Sequence, residues 1–256
     1  DSKIPYGYFN CFVCGSNGSF LKFISHCFDS TEKCALNWLL KNFEHEQVTR
    51  KIFIGDPIDL DKKKKKPTIL DESVLNNYQT WTPYLAQRKL SRGECAEFKV
   101  RYDPIYRQVI FPAYDLNGNL VMMPKRSIDT KSFYLDKELE KPVYCLDYIM
   151  RHNYRAALIT EGPFDTLTGW EYGYPTCGTF GQPSPYQIDQ INKSCISVLY
   201  AAFDNDEAGQ KFTRALKRNL DKRIILIELK LPNGKKDIND LSKEELDKII
   251  REASNS

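Results

Sequence analysis

Acidic residues recur at three points in the second half of the chain, and each point follows a short apolar run. The acids nearest to these runs are Glu161, then Asp204 and Asp206, and then Asp237. Several carboxylates crowded into one place repel each other unless a cation neutralises them. Oxygen ligands without nearby His or Cys favour Mg²⁺ or Mn²⁺ over zinc. Such ions bind carboxylates together with substrate phosphates, so the pattern is typical of phosphoryl or nucleotidyl transfer.

The segments around these acids predict a parallel sheet. Strands and helices are expected to alternate at 156–160, 165–172, 197–203, 207–220 and 223–229. A last helix is expected from Ser242, with Glu245 as its capping-box partner. The segment 177–181 carries two glycines and is expected to be a flexible loop. Short apolar strands alternating with helices are typical of a parallel sheet covered on both faces, and ligands bind at the carboxyl ends of its strands.

Two glycines flank the acids and suggest close packing around a ligand. Gly162 follows Glu161, and Gly209 comes three residues after Asp206. A side chain at either position would obstruct a substrate or a metal ion. A simpler interpretation stays open, because loops are solvated and both Asp206 and Asp240 could serve as helix caps.

Composition and charge patterning divide the chain into four regions. The 256 residues are enough for one large domain or two modest ones, and a net charge of +3 excludes a strongly basic DNA-coating protein. No apolar run is long enough to cross a bilayer and no leader opens the sequence. We therefore expect a cytoplasmic protein (host cytoplasm if phage-encoded) without a membrane partner. The regions are a cysteine-rich segment, a Lys-rich linker, a mixed α+β region and the alternating region, at 1–50, 51–70, 71–155 and 156–256.

The mixed region is expected to contain a helix near 84–89 and strands near 108–113 and 119–123. Asp115-Leu116-Asn117-Gly118 lies between the two strands. This sequence predicts a hairpin turn, because Asn-Gly tolerates positive φ at little cost.

Four segments of the alternating region form a set of motifs, namely Glu161-Gly162-x-x-Asp165, Gly178-Thr179, Asp204-x-Asp206-x-Ala208-Gly209 and Lys236-Asp237-x-Asn239-Asp240. Together they resemble the Toprim domain of DnaG-type primases. The last segment looks most like the versions in phage-encoded primases and primase–helicases. Upstream, the segments that resemble the opening of the DnaG polymerase domain are Tyr84-Leu85-x-x-Arg88-x-Leu90-Ser91 and Arg107-x-x-x-Phe111-Pro112-x-x-Asp115-x-x-Gly118. The resemblance covers about residues 80–245. It implies an α/β Toprim domain preceded by a mixed α+β subdomain and a small zinc-ribbon region.

The resemblance also implies an activity and roles for single residues. The chain would be a DNA primase, which synthesises short RNA primers on single-stranded DNA from ribonucleoside triphosphates. Glu161 would act as acid/base or position the metal, and Asp204, Asp206 and Asp237 would bind Mg²⁺ or Mn²⁺. The supporting residues would be Gly162, Asp165, Gly209 and Asp240. No GxxxxGK[ST] motif occurs, so a replicative helicase is expected on a separate chain.

Four cations are expected to bind nucleotide and DNA phosphates, namely Arg107, Lys125, Arg126 and Lys131. The chain departs from the family near two of them. Met122-Met123-Pro124 precedes Lys125 where the family usually has glycines, and Phe133 replaces a lysine, although Lys131 lies nearby.

Cys11-x-x-Cys14-Gly15 predicts a zinc knuckle, because the turn aims two thiolates at one tetrahedral ion. In primases a zinc ribbon precedes the polymerase domain, and this segment resembles the second half of that ribbon. The first ligand pair would then lie upstream of the present sequence. The alternative is a self-contained site that adds His26 or Cys27, and Cys34.

Two other functions stay open. One is a different Toprim enzyme, such as a nuclease or a topoisomerase fragment. The other is a non-enzymatic module that binds single-stranded DNA through zinc and basic surfaces. Metal-dependent binding of nucleoside triphosphates distinguishes the non-enzymatic module from an enzyme, since a pure DNA-binding module should not bind these nucleotides.

Overall fold

A computed structural model describes residues 8–10, 17–28, 30–43, 65–136 and 138–254. The chain divides into two compact units, Asp1–Lys62 and Lys63–Ser256. Within the described part of the chain, no helix combines the length and apolar character needed to cross a bilayer.

The first unit contains a short hairpin and two helices. These are β1 (Phe9–Asn10), β2 (Asn17–Gly18), α1 (Phe20–Cys27) and α2 (Glu32–Phe43). Cys27 and Cys34, two residues of the alternative zinc site, are both exposed. Cys11 and Cys14 lie outside the described residues, and both zinc predictions therefore stay predictions.

The second unit begins with the mixed α+β region. Its elements are the 3₁₀ helix Glu72–Asn77, α3 (Pro83–Gln87), α4 (Arg92–Glu97), β3 (Arg101–Asp103), β4 (Gln108–Ile110), β5 (Ala113–Tyr114), β6 (Leu120–Met122), β7 (Lys125–Ser127), β8 (Phe133–Tyr134) and α5 (Leu146–Arg151). Four strands form an antiparallel sheet in the order β3-β4-β7-β8, and β5 pairs with β6. The predicted hairpin turn is confirmed, because Asp115 accepts from the backbone N–H of Asn117 and Asn119 and Gly118 adopts φ +81°.

The second half of this unit is the predicted parallel sheet. Its elements are β9 (Ala156–Thr160), α6 (Pro163–Glu171), β10 (Thr176–Gly178), α7 (Pro185–Lys193), β11 (Val198–Ala201), α8 (Glu207–Asn219), β12 (Ile225–Glu228), the 3₁₀ helix Ile238–Asp240 and α9 (Lys243–Ser254). The four strands are parallel in the order β10-β9-β11-β12. The Ser242–Glu245 capping box is confirmed in both directions.

One expectation for this half is wrong in part. The segment 177–181 begins inside β10, so it is not wholly a flexible loop. A three-residue strand that ends in glycine leaves no alternation for a sequence pattern to show. Because β10 pairs at the edge of the sheet, the three strands followed by acids remain neighbours.

Helices cover both faces of the parallel sheet, as the alternation along β9 requires. Ala157 and Ile159 pack with buried residues of α5, α7 and α8 on one face. Leu158, which points to the opposite face, packs with buried residues of α9. The sheet is therefore held rigid from both sides, and its carboxyl edge is left for a site.

Gly169 allows α6 to approach β10 closely. A Cβ atom at Gly169 would lie 2.1 Å from Oγ1 and 2.9 Å from Cβ of Thr176, which is fully buried. Gly93, in α4, is exposed, and a Cβ there would meet only the Ser91 hydroxyl at 3.8 Å. The two helical glycines thus differ in what surrounds them.

We expect Gly169→Ala to lower the free energy of unfolding by about 1–3 kcal/mol, because the tightly packed Thr176 must move. The control Gly93→Ala should raise it by roughly 0.5–1 kcal/mol, because alanine restricts the unfolded chain and meets no clash. Urea unfolding of both variants measures the difference. A Gly169→Ala protein as stable as Gly93→Ala would contradict the close approach.

The partly buried Glu94 in α4 is expected to make the stability of the protein depend on pH. Burial, together with the charges of Glu171 and Glu97, raises the pKa of Glu94 to about 7 from 4.5. The folded state therefore binds a proton more tightly than the unfolded state, so this group's contribution to stability falls as the pH rises from 4.5 to 7. Glu94→Gln should leave stability unchanged below pH 4.5. Above pH 7 it should add about 1–2 kcal/mol, after allowing for solvent screening of this half-buried side chain.

Thermal unfolding between pH 4 and 8 measures this effect. The control is Glu244→Gln. Hydrogen bonds from its own backbone N–H and then from the Ser242 hydroxyl lower the pKa of Glu244, so its replacement should not stabilise the protein. A Glu94→Gln gain that is equal at pH 4 and pH 8 would rule out the explanation.

Candidate metal centre

Three carboxylates meet at the carboxyl edge of the parallel sheet. Oxygen atoms of Asp165, Asp204 and Asp237 all lie within 4.8 Å of one another. Asp165 lies in the first turn of α6, Asp204 follows β11, and Asp237 caps the 3₁₀ helix that comes after β12. The predicted convergence of acids from three strands is thus seen in the structure, with Asp165 as the member that follows β9.

Asp165 is the least satisfied of the three carboxylates. Its Oδ1 atom is buried and has no hydrogen-bond partner among the described residues. Burial, followed by the charges of Asp237 and Asp204, raises the pKa of Asp165 to about 8, while the Arg88 guanidinium opposes this rise. A buried acceptor without a donor is costly and suggests a missing ion.

Asp237 and a further acid at this edge, Glu161, experience the same repulsion. Burial raises the pKa of Asp237, and the charges of Asp240 and Asp204 add to the rise. Burial also raises the pKa of Glu161, followed by repulsion from Asp204 and Asp206. The carboxylates therefore destabilise one another in the absence of a cation.

Lys236 partly relieves this repulsion. Its Nζ atom lies 3.0 Å from Asp204 Oδ2, and the lysine side chain is 67% exposed whereas that of Asp204 is 15% exposed. The contact with Asp204 raises the pKa of Lys236. An exposed lysine on a flexible stem can swing away when a stronger cation arrives.

Asp206 and Gly209 form the start of α8. Asp206 Oδ1 accepts a hydrogen bond of 2.9 Å from the Gly209 N–H, which makes Asp206 the N-cap of the helix. A Cβ atom at Gly209 would lie 2.0 Å from the backbone carbonyl oxygen of Asp204. Glycine is therefore required here so that the helix can start directly behind Asp204, and the role of Asp206 as a metal ligand stays a prediction.

Hydrogen bonds within the loops hold the other acids. Asp240 Oδ2 accepts from the Lys236 N–H at 2.9 Å, and the Asp240 N–H donates to Asp237 Oδ1 at 3.1 Å. A Cβ atom at Gly162 would lie 2.7 Å from Asp165 Oδ2. Of the four supporting residues predicted from the sequence, Gly162, Gly209 and Asp240 lie beside the carboxylates, whereas Asp165 is itself one of the three.

The mixed α+β region anchors the loop that carries Asp237. Lys89 Nζ donates to the backbone carbonyls of Asn239 and Leu241. The Asn239 side-chain amide donates to the Arg88 carbonyl at 3.1 Å and to Thr168 Oγ1 at 2.7 Å. Sequence reasoning did not predict this clamp, because some 150 residues separate its two sides.

Arg88 itself faces the carboxylates. Its guanidinium lies 4.7 Å from the centroid of the Phe164 ring, and its Nε atom is buried without a hydrogen-bond partner among the described residues. The positive charge of Arg88 opposes, without cancelling, the rise in the pKa of both Asp165 and Asp237. Arg88 lies in the motif that begins at Tyr84, but its position in the sequence did not indicate that it would approach these acids.

The loop after β10 is fixed beside Glu161. The Gly181 N–H donates to the Glu161 carbonyl at 3.0 Å, and Lys141 Nζ donates to the carbonyls of Phe180 and Gln182. Lys141 is buried, and its positive charge opposes part of the rise in the pKa of Glu161. This buried lysine is a second cation that sequence reasoning missed.

The four predicted phosphate-binding cations do not lie together. Arg107 forms a bidentate pair with Asp129, with both contacts at 2.7 Å. Lys131 is exposed in the turn between β7 and β8, and Lys125 lies 5.4 Å from the Tyr78 ring centroid. Neighbouring residues on a strand point to opposite faces, so Lys125 and Arg126 are separated by the sheet.

Arg126 lies on the sheet face that is turned toward the carboxylate half. It pairs across the strands with Phe133, whose ring stacks on that of Phe180 at 5.9 Å. Cross-strand partners share a face. The Arg126 Nε atom is buried and has no partner among the described residues, which leaves a donor for an incoming acceptor.

The donor set fits a hard divalent cation. Three carboxylates supply oxygen ligands, no described His or Cys joins them, and Asp165 Oδ1 is an acceptor without a partner. Asp165, Asp204 and Asp237 are the residues that would hold the ion.

Part of the carboxylate half matches a known protein family. Residues 158–242 match the family model described as Toprim-like. Over 142 residues the chain is 28% identical to the uncharacterized protein MG010 of Mycoplasma genitalium. This match covers 51% of the chain and 63% of that protein, so the chain spans less than two thirds of its curated relative.

Solved structures share the fold. The Aquifex aeolicus primase, comprising zinc binding and RNA polymerase domains, matches with a TM-score of 0.58 at 20% identity, over 96% of this chain and 73% of that one. The primase fragment of the bacteriophage T7 primase–helicase protein matches with a TM-score of 0.51 at 21% identity, over 75% of this chain and 84% of that one. Residues 158–242 therefore form a Toprim-like domain, and the chain shares the fold of DnaG-type primases.

Proposed function

We propose that the protein is a DNA primase, which joins ribonucleotides on a single-stranded DNA template by metal-dependent nucleotidyl transfer. The observation that carries the proposal is the buried, unpartnered oxygen of Asp165 among three converging carboxylates. A divalent cation and the phosphates of a nucleoside triphosphate would complete this arrangement.

Mg²⁺ or Mn²⁺ bound there would neutralise charge on the attacking and leaving oxygens. Asp165, Asp204 and Asp237 would bind the ion, and Lys236 would release Asp204 to make room for it. Glu161, whose pKa is raised, would accept the proton of the primer 3′-hydroxyl as its oxygen bonds to the α-phosphate. The bond between the α- and β-phosphates would break at the same time, and pyrophosphate would leave. Arg88 and Arg126 each keep a buried donor without a partner among the described residues, and both donors would bind triphosphate oxygens.

The wider partners follow from this activity. The template is single-stranded DNA, and a zinc site that includes Cys11 and Cys14 would help recognise its initiation sequence. The related Aquifex aeolicus structure contains a zinc binding domain, and the related phage fragment comes from a primase–helicase. We propose that a replicative helicase acts with this protein from a separate chain.

The main rival is a Toprim nuclease, which could use the same carboxylates to cleave nucleic acid. The mixed α+β region argues for the primase. Its Lys89 side chain and Arg88 carbonyl hold Asn239 in the Asp237 loop, and its Arg126 faces the carboxylate half. A non-enzymatic DNA-binding module would leave a carboxylate cluster that repels DNA unexplained.

We expect Asp165→Asn to weaken Mn²⁺ binding at least tenfold, because it removes one of three converging charges. The control is Asp206→Asn, since asparagine preserves a helix cap and this residue lies outside the three-carboxylate group. Titration with Mn²⁺, followed by electron paramagnetic resonance, gives both affinities. Equal losses in the two variants would assign Asp206 to the metal ligands, and no loss in Asp165→Asn would remove Asp165 from them.

Primer synthesis tests the activity itself. Wild-type protein, labelled ribonucleoside triphosphates and Mg²⁺ or Mn²⁺ should give short RNA on single-stranded templates that carry varied short sites. Asp204→Ala should reduce this product at least a hundredfold, because it removes a ligand at the centre of the cluster. No RNA, but metal-dependent cleavage of DNA or RNA that is lost in the same variant, would move the protein to the nucleases.

A further inference from the structure

Helix α8 presents a basic stripe on its exposed side. Lys211, Arg214 and Arg218 follow i, i+3, i+7 spacing, which places them on one face of a helix. All three are exposed. The opposite face is buried against the sheet through Gly209, Phe212, Thr213 and Leu216. Packing therefore fixes which way the three cations point.

The charge of this segment exceeds that of the whole protein. Between Glu207 and Arg223, six basic and two acidic residues give a net charge of +4, whereas the complete chain carries +3. The rest of the chain therefore has a net charge of −1, and the positive charge is concentrated on one helix and the turn that follows it.

Among the residues that the structure describes, the cations of the stripe have no ion-pair partner, in contrast to cations on neighbouring helices. Lys193 of α7 pairs with Asp189, and Arg151 of α5 pairs with Asp147. Within the described residues, no ion pair or side-chain hydrogen bond engages Lys211, Arg214, Lys217, Arg218 or Lys222. Unpaired cations held at fixed spacing are suited to a polyanion.

The stripe leads away from the carboxylate edge. Asp206 caps α8 directly beside Asp204, and the helix then runs for 13 residues. At about 1.5 Å per residue, Arg218 lies roughly 18 Å along the axis from Asp206. A strand held at the carboxylates would need roughly five nucleotides to reach it, at about 3.4 Å per stacked nucleotide.

We propose that the basic stripe, Lys211, Arg214 and Arg218, binds the phosphate backbone of the single-stranded DNA template where it leaves the carboxylate site. The inference rests on the proposed primase function, which brings a polyanionic single strand to this edge. Contacts to phosphates position a strand without reading its sequence, so the stripe would hold any template.

The test compares two triple variants with equal loss of charge. The stripe variant is Lys211→Gln, Arg214→Gln and Arg218→Gln. The control is Lys243→Gln, Lys248→Gln and Arg251→Gln on α9, which packs on the other face of the sheet. Circular dichroism checks that both variants fold. Fluorescence anisotropy then gives the affinity for single strands of 4 and 16 nucleotides between 50 and 200 mM salt, and wild-type primer synthesis is measured alongside.

We expect the stripe variant to bind the 16-nucleotide strand about tenfold more weakly at 50 mM salt, with the control unchanged. The slope of log affinity against log salt should become shallower by about 2, since each lost phosphate contact on a single strand accounts for about 0.7. The loss should be smaller for the 4-nucleotide strand, which spans about 14 Å from the site and therefore reaches Lys211 and Arg214 but not Arg218.

Three results would overturn the inference. These are equal affinity of the stripe variant and the wild type, an equal loss in the α9 control, or an equal loss for both strand lengths. Unchanged DNA affinity would instead point to an acidic protein surface as the partner of α8. If the wild type still makes primers in that case, the proposed function stands and this inference alone fails.

Discussion

The mutual repulsion of carboxylates at the edge of the parallel sheet is the constraint on which the rest of the site depends. Asp165, Asp204 and Asp237 lie within 4.8 Å of one another, and Glu161 feels the charges of Asp204 and Asp206. Such a group is unfavourable without a cation, so the fold must hold the acids in place against their repulsion. Lys236 and Arg88 lower this repulsion without removing it, because Asp165 still keeps a raised pKa and an unpartnered oxygen.

The fold supplies the restraint through backbone contacts. Gly209 lets α8 begin against the Asp204 carbonyl, and Asp237 is fixed by its cap of the 3₁₀ helix. Lys89 and Asn239 then tie that loop to the mixed α+β region. Carboxylates held in this way would need little rearrangement to bind a metal ion, as the proposed nucleotidyl transfer requires of its scaffold. The antiparallel sheet of the mixed α+β region packs against the carboxylate half, where the Phe133 ring stacks on that of Phe180. That sheet supplies Arg126, whose buried donor has no partner among the described residues.

Much of this arrangement could be predicted from local sequence. Acids in the segments that follow the strands, namely Glu161, Asp204 and Asp237, and the helices between the strands predicted the sheet type and the edge at which the acids meet. Both depend on short-range patterns. The Ser242–Glu245 cap and the Asp115–Gly118 turn are local as well, and both are confirmed. Asp165 was expected only as a supporting residue, although its place one helical turn into α6 brings it among the ligand atoms.

The remainder depended on tertiary contacts that no spacing reveals. Arg88 approaches the acids only when the two halves of the second unit pack together, and Lys141 reaches the loop after β10 from 39 residues away. β10 itself is too short to show a strand pattern. The basic residues of α8 are apparent in the sequence as single charges. That they form one exposed stripe follows from the direction of the helix, its buried face and the lack of ion-pair partners among the described residues.

The most direct test of the account is anomalous diffraction from crystals grown with Mn²⁺ and a nucleoside triphosphate. The account predicts a manganese peak bound by Asp165, Asp204 and Asp237, with the triphosphate beside it and Lys236 moved away from Asp204. A peak bound elsewhere, or a triphosphate bound with no metal at these carboxylates, would contradict it.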